Sequence, residues 1–363
     1  PCAEMVNEAI GRGLDAVDAD SLNPVAAAAA AHAFMDAWDV LESVLPAHKN
    51  TIVAAEAELR LMVGFDTWLQ QLEFAVLDTR DSDPSVVRRF VEVTDAWTGR
   101  FAQAPSVMLA RALTVAAEGC WDPDNMAEYD RRHAEIVARW PELAMPRVRR
   151  AHVLQSHPSW PTADLCEAAL AELLVARDRP ALDHGLWQLD ERIAEFAAEW
   201  PSLGNIAPRS ESVAIVAELS DVGQTYPRSA LEAALEQQDA VVPLLMQVLS
   251  DTARSPDVLL DKGDIHVFAM VLLGHLRHEP AHQAILSLLR RCDTHMDDLF
   301  GDLVFEVVPA LLHRTCEGDR DALLAAVRDE TAPAGLRGVA ADALVLSACA
   351  GHVSRDDVAE CLM

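Results

Sequence analysis

Residues 130–143 read DRRHAEIVARWPEL, and residues 190–203 read DERIAEFAAEWPSL. Eight of the fourteen positions are identical: Asp130/Asp190, Arg132/Arg192, Ala134/Ala194, Glu135/Glu195, Ala138/Ala198, Trp140/Trp200, Pro141/Pro201 and Leu143/Leu203. The offset of 60 residues is close to two helix-hairpin units of the tetratricopeptide kind. Each copy ends a helix on a bulky Trp, and the following Pro stops it. One helix pair cannot bury its own apolar face, so repeated pairs stack into a solenoid. Packing of each Trp between hairpins is therefore expected, ahead of a ligand-stacking platform.

The rest of the chain carries the same signal. Its 363 residues, 51% of them hydrophobic, suffice for two domains or one extended repeat array. Aromatics make up only 5%, and no alternating β-branched run bounded by turns stands out. Ala, Leu, Val, Glu and Arg dominate, which is helix-forming composition. The expected fold class is all-α, an α-solenoid of helix hairpins.

Helical periodicity predicts helices over 24–45, 51–79, 84–103, 105–119, 124–140, 162–177, 180–200, 210–221 and 227–250, the last split near Gln238. Further helices are expected over 265–278, 280–291, 295–314, 319–329, 333–350 and 354–362. Pro24, Pro84, Pro105, Pro280 and Pro333 lie where a first-turn proline is tolerated. Asp83, Asp257, Asp319 and Ser354 look like N-caps. Residues 206–225 place Gly, Ser and Pro around one short helix and read as a connection. A tetratricopeptide-like domain is expected over 1–205, and a HEAT-like domain over 226–363.

The formal net charge is −29. Residues 1–205 hold 33 acids against 17 bases and the remainder 25 against 12, so the acidity is spread and no acidic tail exists. Such a surface repels phosphate backbones and anionic lipid heads, which argues against direct nucleic-acid or membrane binding. The basic clusters Arg88/Arg89 and Arg147/Arg149/Arg150 each sit among acids. Seven scattered cysteines (Cys2, Cys120, Cys166, Cys292, Cys316, Cys349, Cys361) contain no C-x-x-C pair, which fits reduced thiols in a cytoplasm. No apolar stretch reaches transmembrane length without a charge or Pro, and no signal-peptide pattern is seen. Pro1 is not an initiator methionine, which is compatible with sequence preceding it.

Four C-terminal stretches share a pattern of apolar positions and turns: YPRSALEAALEQ (226–237), HVFAMVLLGHLRHEPAHQAILSLL (266–289), DDLFGDLVFEVVPALLHRTCEGD (297–319) and LRGVAADALVLSACAGHVSRDDV (336–358). With Gly301-Asp302, Gly318-Asp319 and the Ser354-Arg355 turn, they resemble an uncharacterised group of bacterial HEAT-like helical-repeat proteins. That group often carries a small SecA-type C-terminal zinc motif, whose closely spaced cysteines this chain lacks. The resemblance covers about 130 residues and leaves 1–205 untouched. It implies a fold, with no catalytic residues attached.

Two stretches nonetheless look enzymatic. HEPAH (278–282) spells the zinc-protease signature H-E-x-x-H, in which two histidines on one helical turn hold zinc and the Glu is the general base. Pro280 disfavours α conformation at Glu279, so an inter-helix turn is expected instead. A His at a helix C-terminus is favoured by the dipole, which suffices to explain His278. Glu306 could nominally complete a zinc site, and His275, His278, His282, Cys292 and His295 form a loose cluster able to take a metal adventitiously.

MDDLFGD supplies Asp297, Asp298 and Asp302, the carboxylate spacing with which class I terpene cyclases bind magnesium. A second magnesium motif is missing, and the chain is poor in the aromatics a carbocation pocket needs. An acidic helix start is the simpler account. G-x-S-x-G and P-loop patterns are absent.

The function expected from sequence is a non-enzymatic, cytoplasmic scaffold without cofactors. It would present Asp297, Asp298, Asp302 and Glu306 to a protein or peptide with a basic surface. The alternatives are a metal-dependent enzyme, with Mg at Asp297/Asp298/Asp302 or Zn at HEPAH, and an acidic decoy for a nucleic-acid-binding protein.

Overall fold

A computed structural model describes residues 2–19, 23–79, 82–124, 126–179, 182, 188–200, 209–220, 226–259, 264–316 and 320–362. Pro1, Pro201, Leu203, Gly318 and the expected cap Asp319 lie outside the described residues. So do the Cys2 side chain and the ends of the expected connection, 206–208 and 221–225. Among the described residues all regular structure is helical. Residues Cys120, Cys166, Cys292, Cys316, Cys349 and Cys361 are free thiols.

The chain packs as two compact units, one of Pro1–Pro141 with Met145–Ala169, the other of Glu142–Ala144 with Leu170–Met363. The first holds α1 (Cys2–Ala19), α2 (Pro24–Val44), α3 (Ile52–Leu59), α4 (Phe65–Thr79), α5 (Pro84–Arg100), α6 (Ser106–Gly119), α7 (Ala127–Arg139) and α8 (Met145–Gln155). Helix α9 (Ala163–Asp178) carries the chain onward.

Helix α2 shows why these segments fold as they do. The Asn23 side chain accepts the Val25 N–H at 3.0 Å, and Pro24 occupies the first turn. Its buried face runs Ala27, Ala30, Ala31, Phe34, Trp38 and Leu41, the spacing of one helical stripe. Gly13 of α1 lies against this stripe, where a β-carbon would overlap the Phe34 ring. Neighbouring helices then pack in order, α2 on α4, α4 on α5, α5 on α6 and α6 on α7. Phe101 centres their aromatic core, edge-on to Phe65 (5.3 Å between ring centres), Trp97 (6.0 Å) and Trp38 (6.1 Å).

The second unit continues with α10 (Leu189–Glu199), α11 (Glu211–Ser220), α12 (Arg228–Glu236), α13 (Gln238–Arg254), α14 (Ile265–His275) and α15 (Ala281–Arg291). It ends with α16 (Met296–Phe300), α17 (Leu303–Glu306), α18 (Val308–Thr315), α19 (Asp321–Arg328), α20 (Ala334–Cys349) and α21 (Arg355–Leu362). Contacts again run between near neighbours in sequence, α13 with α14 and α15, α15 with α18, α18 with α20, and α19 with α20. That is the contact pattern of stacked hairpins. Gly274 lets α14 approach α18, since a β-carbon there would overlap Leu311.

Buried charge is paired in both units. In the first, Arg149 holds the buried Glu118 through Nε and Nη2 (2.6 and 2.5 Å), and Arg111 donates to Glu73 at 2.6 Å. In the second, the fully buried Glu142 accepts from Ser255 Oγ (2.5 Å) and Arg254 Nη1 (3.0 Å). Arg254 also reaches Asp251 at 3.1 Å, and burial pushes that carboxyl above its ordinary range.

Several expectations need correction. The helix expected over 51–79 breaks where Arg60 takes φ 47 and closes α3. The Glu56 carboxylate then accepts the Phe65 N–H at 2.7 Å and starts α4. The helix expected over 295–314 is three short pieces, because Gly301 turns at φ 51 and Val307 interrupts the ladder before Pro309. Asp257 lies within the 3-10 turn Pro256–Leu259 rather than capping a helix. Helices α1 and α8 were not expected. The short helix expected over 210–221 is α11, and it packs on α12 and α13.

The two copies of the repeat adopt one local conformation. The Trp140 N–H donates to Ile136 O at 2.9 Å and the Trp200 N–H to Phe196 O at 3.0 Å. Their backbone angles are φ −128, ψ 66 and φ −121, ψ 69. The inward positions match as well: Tyr129/Leu189, His133/Ile193 and Ile136/Phe196 are all buried. None of those inward pairs is identical in sequence, so the shared residues mark the outer face and the helix end. Trp140 is 4% exposed, whereas Trp200 is only half-buried, so the core placement expected of both holds fully for the first.

Candidate functional site

Helix α14 ends in a closure that decides the HEPAH stretch. Arg277 takes φ 52, its N–H reaches Gly274 O (3.2 Å), and the His278 N–H reaches Leu273 O (3.0 Å). These two bonds make a Schellman motif, after which Pro280 stands at the cap of α15. His278 is thus half-buried in the turn, while His282 is buried in the first turn of α15. The Thr315 hydroxyl donates to Leu311 O (2.9 Å), so it accepts from His282 Nδ1 at 3.2 Å. The two histidines sit on different elements and do not form a zinc-protease pair.

The looser cluster is not assembled either. His275 is exposed at the end of α14, and His295 lies in the 3-10 turn Asp293–His295. Cys292 is completely buried, which pushes its thiol up to about 12. Among the described residues no three His, Cys, Asp or Glu side chains are grouped to hold a metal ion.

The second stretch is built differently from a magnesium helix. Asp297 and Asp298 occupy the first turn of α16, Gly301 ends it, and Asp302 stands at the cap of α17. The three carboxylates therefore do not share one helical face. Asp297, Asp298, Asp302 and Glu306 are all exposed, and none makes a side-chain hydrogen bond or ion pair among the described residues. Met296, Leu299, Phe300 and Val304 anchor the segment in the core. Between the acids stand Phe305, 56% exposed, and Leu303, 39% exposed.

Sequence reasoning missed Phe305 and Leu303 as surface residues. Their apolar type points to the core, yet at two positions apart they share no helical face, and in α17 it is Val304 between them that is buried.

Most arginines of the clusters that could have served a nucleic acid are occupied, although the exposed Arg88 makes no side-chain hydrogen bond or ion pair among the described residues. Arg89 bonds Asp36 (2.7 Å) and Asp39 (2.6 Å), Arg149 holds Glu118, and Arg150 bonds Asp130 at 2.9 Å. Among the described residues no helix is long and apolar enough to cross a membrane.

Residues 211–362 match a family described as "Protein of unknown function (DUF1186)". The match begins at the first residue of α11 and spans less than half of the chain. It includes all four C-terminal stretches on which the resemblance to HEAT-like repeat proteins rests. No curated protein and no solved structure matches the chain.

Proposed function

We propose that this protein is a non-enzymatic helical-repeat scaffold of the cytoplasm, tetratricopeptide-like in its N-terminal part and HEAT-like in its C-terminal part. It presents Asp297, Asp298, Asp302 and Glu306 to a protein or peptide with a basic surface. One observation carries the reading: four exposed carboxylates without partners border exposed Phe305 and Leu303 on one short segment. Among the described residues some exposed acids elsewhere are engaged, as Asp39 is by Arg89, and others such as Glu42 and Glu92 are not; the exposed Phe305 and Leu303 beside them set these four apart. Lys or Arg side chains of a partner can pair with the free carboxylates, and an apolar side chain can cover Phe305. The apolar contact gives the site a short-range component that diffuse charge lacks.

Fluorescence anisotropy with a labelled probe peptide of alternating Lys/Arg and Leu tests the proposal. Phe305→Ser is expected to weaken binding about tenfold, the effect of losing roughly 1.4 kcal/mol of contact. The same loss is expected from neutralising Asp297, Asp298, Asp302 and Glu306 to their amides. Equal binding by these variants and by the wild type would reject this segment as the docking surface.

A further inference from the structure

Close to the α14 closure, a strongly acidic chain gathers positive charge. Arg314, near the end of α18, donates through Nε to Gly274 O (3.0 Å) and through Nη2 to His275 O (3.3 Å), which brings α18 to the end of α14. Its neighbour His313 stacks on His352, with ring centres 5.6 Å apart and planes at 22°. The Ser347 hydroxyl of α20 donates to Ala343 O, so it accepts from His313 Nδ1 at 2.8 Å, which leaves Nε2 for another partner. Burial, then His352, Arg320, Arg277 and Arg314 hold the His313 pKa below its ordinary value.

Two of these arginines lack a structural explanation. Arg314 neutralises helix-end carbonyls, as a basic residue at a C-terminus does. Arg277 makes no side-chain hydrogen bond or ion pair among the described residues, and neither does Arg320, whose Nε is buried. Arg277 also occupies a position that favours glycine. Helix α20 closes with the same two bonds, Gly351 N–H to Ala348 O and His352 N–H to Ser347 O, and there the left-handed residue is Gly351 at φ 75. At α14 the same backbone role falls to an arginine at φ 52, a conformation that disfavours a side chain. The chain accepts that strain and sets a guanidinium where, among the described residues, no carboxylate pairs with it.

We propose that the joined ends of α14, α18 and α20 bind a phosphate monoester, held by Arg277, Arg314, Arg320, His313 and His352. Guanidinium forks match phosphate oxygens two at a time, and a dianion relieves the repulsion among the three guanidinium groups. The site is independent of the acidic segment proposed above, and either can fail without the other.

The test follows the imidazole Cε1–H resonances of His313 and His352 by NMR as inorganic phosphate is added at constant ionic strength. His313 is expected to titrate about one unit higher when phosphate is bound, with the His352 resonances shifting alongside it. Arg277→Gly is the informative variant, because glycine suits the left-handed position. Its unfolding midpoint is expected to be unchanged or higher, while phosphate affinity falls at least tenfold. Arg320→Met should show the same loss of affinity. A phosphoserine peptide binding more tightly than inorganic phosphate identifies a phosphorylated protein as the source, whereas equal affinity identifies a free phosphate compound. Histidine shifts matched by chloride at the same ionic strength overturn the proposal, as does an Arg277→Gly variant that binds phosphate like the wild type.

Discussion

Replacing Trp140 by alanine is expected to lower the unfolding free energy by about 3–5 kcal/mol, the range for truncating a large buried aromatic. Trp140 is 4% exposed, and the Arg139 guanidinium lies over its ring, 4.3 Å from the ring centre. It forms one wall of a recess of about 240 Å³ that is also lined by Asp95, Thr98, Leu113, Arg132 and Glu135. Truncation removes apolar burial and a cation–π contact together, and widens a recess that surrounding helices hold open. Trp200→Ala is expected to cost less, about 1–3 kcal/mol, because its ring is only half-buried. Urea denaturation of both variants measures the two losses. A Trp140→Ala change below about 1 kcal/mol would mean that this ring serves a ligand instead of the core.

A second large effect concerns Glu73, whose pKa is raised from 4.5 to about 7. Burial is the first cause, and the neighbouring Arg111 and Arg149 only partly offset it. Arg111 bonds one carboxylate oxygen at 2.6 Å, while the other is buried without a hydrogen-bond partner. Between pH 4.5 and 7 the folded chain therefore holds this proton more tightly than the unfolded chain. Stability must then fall as pH rises through that window, by on the order of 3 kcal/mol.

The lowered pKa values of His266 and His313 act in the opposite direction over part of the same range, so the comparison needs a variant. Glu73→Gln keeps an acceptor for Arg111 and cannot ionise. It is expected to exceed the wild type by on the order of 3 kcal/mol at pH 8, with the difference closing toward pH 4.5. A difference independent of pH, or one of opposite sign, would show that Arg111 outweighs burial.

What the sequence made legible were local decisions of the backbone. Pro280 alone predicts the turn inside HEPAH, and Asp83 caps α5 by accepting the Ser85 N–H at 3.0 Å. The split near Gln238 and the helix ends at Trp140 and Trp200 are likewise where turn chemistry places them. The break between α3 and α4 was hidden because Leu61, Met62 and Val63 continue the apolar pattern through it. Helix α1 was obscured by Gly11 and Gly13, the second of which serves close packing against Phe34.

Pairings distant in the chain were beyond reach for a different reason. Glu142 finds Arg254 across 112 positions and Glu118 finds Arg149 across 31, and no spacing rule connects such residues. The acids of the candidate surface could be read directly as Asp297, Asp298, Asp302 and Glu306. Their lack of partners among the described residues, and the exposed Phe305 among them, are tertiary properties that no spacing rule supplies.

The most direct measurement of the central claim is the association rate of the basic probe peptide as a function of salt. It compares the wild type with the variant in which Asp297, Asp298, Asp302 and Glu306 are amides. Screening shortens from a Debye length of about 30 Å at 0.01 M salt to about 8 Å at physiological ionic strength. A docking surface built on those carboxylates predicts a rate that falls by about tenfold or more across that range, with dissociation changing less. It also predicts that the variant associates slowly even at low salt, although 25 of the 29 excess negative charges remain. A variant that associates as fast as the wild type, with the same salt dependence, would contradict the claim and leave the charge a role in solubility alone.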